Sequence, residues 1–179
     1  MKRENLGKSR KIDNTNNIKN IDNIWVYCSE FGPNVSMTRA MLVTVLYRLE
    51  GEPKANRSIP FADVDMSSYY ASAVIWAKQN NIVKGIDDTN FAPNGEITRE
   101  QLATILYRYA NYKGIDVSVG KNTNILSYDD FSELSEYAIP AMQWACGSGI
   151  ITGRTISTIA PKGTATRAEV ETMLMRFTK

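Results

Sequence analysis

Apolar residues recur at helical spacing in three segments of the chain: Leu42, Val45, Leu46 and Leu49; Leu102, Ile105, Leu106 and Tyr109; Val170, Met173, Leu174 and Phe177. Positions i, i+3, i+4 and i+7 share one face of a helix, so each segment predicts an amphipathic helix with one buried stripe. A threonine stands ahead of each: Thr38, Thr98 and Thr166. Thr98 with Gln101, and Thr166 with Glu169, have capping-box spacing, in which the hydroxyl and the third side chain satisfy amides at the helix start. Met41 takes that third place after Thr38, so the first helix keeps the cap and loses the box. Gly51-Glu52-Pro53 stops this helix near Leu49.

The three helices belong to a longer repeat. An arginine follows each threonine: Arg39, Arg99 and Arg167. Each lies six residues after a proline, Pro33, Pro93 or Pro161, with an apolar residue two before it: Phe31, Phe91 or Ile159. Two further apolar faces precede the second and third copies: Tyr69, Ala73, Trp76 and Ala77, then Tyr137, Ala141, Trp144 and Ala145. Trp76 and Trp144 stand 23 residues before their arginines, and Gly85 and Gly153 stand 14 before them. Asn81 and Gly149 suit left-handed helix ends. The spacing therefore predicts two helix-loop-helix units, over 59–112 and 127–179. The first unit breaks the pattern. Asn16 and Trp25 occupy the places of its tryptophan and glycine, so 25–51 reads as a partial repeat without its leading helix. Residues 1–24 are polar and read as a flexible tail. Residues 51–59 and 111–127 read as linkers.

Composition narrows the chemistry. A net charge of +2 over 179 residues does not argue for nucleic acid, and no stretch has the apolar length of a membrane span. There is no histidine, which removes the commonest general base and metal ligand. The acidic residues Asp87, Asp88, Asp129, Asp130 and Glu133 fall in turns, and Asp87-Asp88-Thr89-Asn90 lacks the pattern of a calcium loop. An enzyme is therefore not expected, nor a cofactor or metal. Cys28 and Cys146 have no metal-ligand spacing and read as small buried residues rather than a disulfide. The basic N-terminus is not followed by the apolar core of a signal peptide, so the sequence leaves export open.

The arginines are the anomaly. At the first helical position a cation meets the positive end of the helix dipole, at a cost of about 0.3–1 kcal/mol. Three in register suggest an anion held between a guanidinium and free helix-start amides. The alternative is an ion pair with an acidic residue of the next repeat.

The succession Phe61-Ala62-Asp63-Val64, Trp76-Ala77, Asn81-Ile82-Val83-Lys84-Gly85, Phe91-Ala92-Pro93 and Ile97-Thr98-Arg99-Glu100 resembles the S-layer homology (SLH) repeat. So does Tyr128-Asp129-Asp130, Trp144-Ala145, Gly149 to Gly153, Ala160-Pro161 and Thr166-Arg167-Ala168-Glu169. The resemblance implies an all-α fold: tandem repeats in a pseudo-threefold, three-pronged spindle with a central helix bundle. It implies a non-catalytic module at the bacterial cell surface, binding an anionic secondary cell-wall polysaccharide, often pyruvylated, in grooves between repeats. By position it points to Arg39, Arg99, Arg167, Asp63, Asp130, Trp76, Trp144, Gly85 and Gly153 as ligand-binding residues. The family's motif glutamate is replaced by Met41 and Gln101, and the first repeat is incomplete, so one working groove is expected and at most two. The incomplete repeat also raises self-association as a way to complete it. The competing readings are a helical-repeat module for a protein partner and an SLH remnant with weak or no glycan binding.

Overall fold

Five α-helices form among residues 32–56, 58 and 61–178, which are those described by the computed structural model. The polar tail, the Ile24–Cys28 run and Phe31 lie outside the described residues. The threonine-capped helices are α1 (Arg39–Leu49), α3 (Arg99–Lys113) and α5 (Arg167–Phe177). The leading helices of the two full repeats are α2 (Ala71–Gln79) and α4 (Ile139–Gly147). The capping boxes at Thr98 and Thr166 are both present, and Thr38 caps α1 alone. The fold is all-α, with only isolated bridges and no sheet among the described residues.

The residues just ahead of the capped helices close a ring. Met37 N donates to Ala165 O at 2.9 Å, Ala165 N to Ile97 O at 3.0 Å, and Ile97 N back to Met37 O at 2.9 Å. Each helix start is then fastened to the proline loop of the next repeat. Arg39 N and Ala40 N donate to Gly95 O and Pro93 O, and Arg99 N and Glu100 N to Gly163 O and Pro161 O. Arg167 N and Ala168 N donate to Val35 O and Pro33 O, so the last repeat is capped by the first. A helix start leaves four amides without intrahelical partners. Here the third is held by the threonine hydroxyl in every copy. The first two go to a neighbour, which makes the pseudo-threefold arrangement a consequence of backbone hydrogen bonding.

Each leading helix is wedged between two capped helices through its tryptophan. Trp76 meets Tyr47 of α1 and Tyr112 of α3, each at 5.7 Å between ring centroids. Trp144 meets Tyr107 of α3 at 5.6 Å and Phe177 of α5 at 6.2 Å. Tyr109 of α3 packs on Phe177 at 5.5 Å and donates its hydroxyl to Glu50 at the end of α1. Burial and that carboxylate together push the Tyr109 phenol well above its ordinary pKa.

Two expectations need correction. Tyr69 and Tyr137 do not lie on the leading helices but precede them, and both are exposed. Tyr137 sits in a 3-10 turn, Glu136–Ala138, and α4 starts just after it with Pro140 in its first turn, a position that suits proline. Nor is 111–127 a loose linker. Helix α3 continues to Lys113, ends on left-handed Gly114 (φ 70°), and the chain then forms a 3-10 segment, Ser118–Asn122, packed on α4. A Cβ on Gly120 would lie 3.0 Å from the Trp144 backbone, so the close approach favours a glycine.

Candidate ligand grooves

The ring changes the role of the three arginines. Their helix-start amides are occupied by neighbouring carbonyls, so no anion is held there. The side chains, all buried, instead cross to the next repeat. Arg39 Nε donates to Phe91 O at 2.8 Å and its guanidinium lies over the Phe91 ring at 4.8 Å. Arg99 Nε donates to Ile159 O at 2.7 Å. Arg167 Nε has no acceptor among the described residues, and the position equivalent to Phe91 and Ile159 is residue 31, outside them.

The aspartates hold the carbonyls that receive these arginines. Asp63 accepts from Phe91 N at 2.8 Å and Ala92 N at 2.7 Å. Asp130 accepts from Ile159 N at 3.0 Å and Ala160 N at 2.6 Å. Ala92 and Ala160 are left-handed, with φ of 57° and 48°, a conformation unfavourable for alanine that the carboxylates stabilise. Asp63 and Asp130 therefore hold the loop backbone whose carbonyls accept from Arg39 and Arg99. Asp63→Ala is expected to destabilise the fold by about 3 kcal/mol, because two amides lose a charged acceptor; urea denaturation checks this.

Two equivalent grooves open beside these contacts. The Arg39 groove, about 360 Å³, is lined by Arg39, Lys84 to Ile86, Gln101, Arg108 and Tyr137 among others. The Arg99 groove, about 250 Å³, is lined by Arg99, Thr152 to Arg154, Glu169 and Arg176 among others. Gly85 and Gly153 belong to the two walls. A Cβ on Gly85, at φ 94°, would lie 2.5 Å from Asp87 O and 2.7 Å from Asn90 O. Gly85→Ala is therefore expected to lower stability by about 2 kcal/mol or more, visible as a lower melting temperature. Trp76 and Trp144 are each only 2% exposed and line neither groove. They pack between the helices that flank the grooves.

The grooves differ in how their cations are satisfied. In the Arg99 groove, Arg99 also donates to Thr152 O at 2.6 Å, Arg176 to Ile150 O at 3.4 Å, and Arg154 to both Glu169 oxygens at 3.2 Å. Burial opposes ionisation of Glu169, yet the Thr166 amide and Arg154 keep its carboxyl below the usual range. The Arg39 groove has no carboxylate in its lining, because Gln101 stands where Glu169 does and turns back onto the Thr98 amide. Beyond the Arg39 Nε bond, neither Arg39 nor Arg108 finds an acceptor among the described residues. Burial pushes both guanidiniums below their ordinary pKa; for Arg39 the nearby Tyr137 and Asp63 oppose this and Arg108 adds to it least. Arg108, Lys84, Ile86 and Tyr137 are the lining residues that the repeat motif does not mark. Arg108 was visible as the arginine that closes each capped helix, alongside Arg48 and Arg176.

The closed ring of helical repeats thus leaves cationic grooves between its members. The S-layer homology domain family matches residues 60–103 and 127–171. The chain belongs to the S-layer homology family through these two repeats. It is 31% identical over 146 residues, 82% of its length, to an amylopullulanase of Thermoanaerobacterium thermosulfurigenes, of which it spans 8%. It is 26% identical over 151 residues to a cellulosome-anchoring protein of Acetivibrio thermocellus, 82% of this chain and 33% of that protein. It is 27% identical over 123 residues to a surface-layer 125 kDa protein of Lysinibacillus sphaericus, 69% of this chain and 10% of that protein. Among the described residues, no helix is long and apolar enough to cross a membrane.

Proposed function

We propose that this chain is a non-catalytic anchoring module of the bacterial cell surface. It holds a carboxylate-bearing secondary cell-wall polysaccharide in the Arg39 groove. The observation that carries this reading is the pair Arg39 and Arg108, partly desolvated, facing one cavity that contains no carboxylate. Arg39 is held only at Nε and on the Phe91 ring, and Arg108 has no acceptor among the described residues, so a bound anion offsets the cost of burying their remaining charge. A guanidinium presents a planar fork that matches a carboxylate, such as the pyruvyl ketal of a sugar, through two parallel hydrogen bonds. The Arg99 groove, whose cations are already engaged within the protein, is the weaker site in this reading. The names of the relatives agree with anchoring: one is a cellulosome-anchoring protein and another a surface-layer protein. The similarity to the amylopullulanase covers 8% of that enzyme, the share expected of an appended module.

The test is co-sedimentation with protein-free cell-wall sacculi before and after hydrofluoric acid strips their secondary polymer. The protein is expected to pellet only with unstripped walls. Equal pelleting with both preparations, or with neither, would overturn the reading.

A further inference from the structure

We propose that Tyr137, carried by the third repeat, is the sugar-facing wall of the Arg39 groove between the first and second repeats, and that buried Glu100 positions it there. This rests on the anchoring reading and deepens it. The tryptophans are buried, so the groove needs another apolar surface if its occupant is a sugar rather than a bare anion. Tyr137 is the aromatic residue in that lining, and it is 54% exposed. Beside it stands Ile86, 57% exposed. The two cations are therefore flanked by open apolar surface, the combination that suits a carboxylate borne on the apolar face of a pyranose. The Arg99 groove lacks both elements: Arg154 replaces Ile86, and no aromatic residue is in its lining.

The placement of Tyr137 depends on a device found in one repeat. Glu100 follows Arg99, where the other two copies have Ala40 and Ala168. Its carboxylate is 4% exposed and gathers three neighbours from the third repeat. Ser135 donates through its amide at 3.0 Å and its hydroxyl at 3.1 Å, Tyr137 through its phenol at 3.2 Å, and Lys162 through Nζ at 2.7 Å. Lys162 also reaches the Ser135 hydroxyl at 2.6 Å, which closes the network. The phenol, pushed up to about 12 by burial and by Glu100, donates to that carboxylate as a neutral group, and the residue belongs to the cavity lining. Glu100 is the buried member, and its carboxylate, with both oxygens engaged by partners from one short segment and Lys162, favours one geometry.

The experiment is calorimetric titration of the folded full chain with the methyl glycoside of a pyruvylated N-acetylhexosamine, for wild type, Tyr137→Ala, Tyr137→Phe and Arg39→Ala. Melting temperatures are measured alongside. Tyr137→Ala is expected to weaken binding at least about tenfold and to lower the melting temperature by only about 2–4 °C, because the ring is largely exposed and Glu100 keeps its bonds to Ser135 and Lys162. Tyr137→Phe keeps the ring but loses the bond to Glu100, so it is expected to bind about threefold to tenfold more weakly than wild type; wild-type affinity in it overturns the positioning role of Glu100. Wild-type affinity in Tyr137→Ala, alongside a loss in Arg39→Ala, overturns the role of Tyr137 and leaves the anchoring reading in place. Wild-type affinity in Arg39→Ala overturns the reading on which the inference rests.

Discussion

Arg108→Ala is expected to lower affinity for cell walls at least about tenfold while leaving the melting temperature nearly unchanged. The loss corresponds to one charge-assisted contact made only with ligand. The asymmetry follows from its surroundings: Arg108 faces the cavity and has no hydrogen-bond acceptor among the described residues. Arg39→Ala should reduce binding at least as much, but with a stability cost of about 1.5–3 kcal/mol, because Nε also holds Phe91 O. Arg99→Ala gives the contrast. It loses bonds to Ile159 O and Thr152 O and should destabilise the protein, yet binding by the fraction that remains folded should stay close to wild type. Pelleting with sacculi, paired with thermal denaturation, separates the three variants.

Trp144→Ala is expected to cost about 3–5 kcal/mol, the range for deleting a buried aromatic side chain. That is a large part of the roughly 5–15 kcal/mol by which a typical domain is stable. Trp144 is 2% exposed and joins α4 to Tyr107 of α3 and Phe177 of α5, with the Ser118–Asn122 segment packed against its backbone. Its removal should loosen three elements at once and lower the urea midpoint. Loss of wall binding in this variant should track the loss of folded protein, since the indole lines neither groove.

Much of the fold was legible in the chain because it rests on local signals. Threonine caps with apolar stripes placed α1, α3 and α5, and Asn81 (φ 58°) and Gly149 (φ 69°) take the left-handed conformations their positions suggested. The fate of the helix-start amides was not legible. Sequence alone leaves them free at the N-terminus, whereas the ring hands them to Pro93, Gly95 and their equivalents, contacts between residues more than 50 positions apart. The same limit explains the site. Trp76 and Trp144 have a spacing that serves core and ligand equally well, and only packing shows them buried. Tyr137 looked like a helix-face residue by periodicity, but the Glu100 network and Pro140 place it ahead of α4 and in another repeat's groove. The asymmetry between grooves was half visible. Gln101 against Glu169 could be read from the chain, but the self-pairing of Arg154 with Glu169 could not.

Whether the anion sits in the Arg39 groove is read from a two-dimensional amide spectrum of the protein titrated with the pyruvylated N-acetylhexosamine glycoside. The Gly85 and Ile86 amides are expected to shift progressively and saturate, while Gly153 and Arg154 stay in place. Shifts at Gly153 and Arg154 with Gly85 and Ile86 unmoved would contradict that placement.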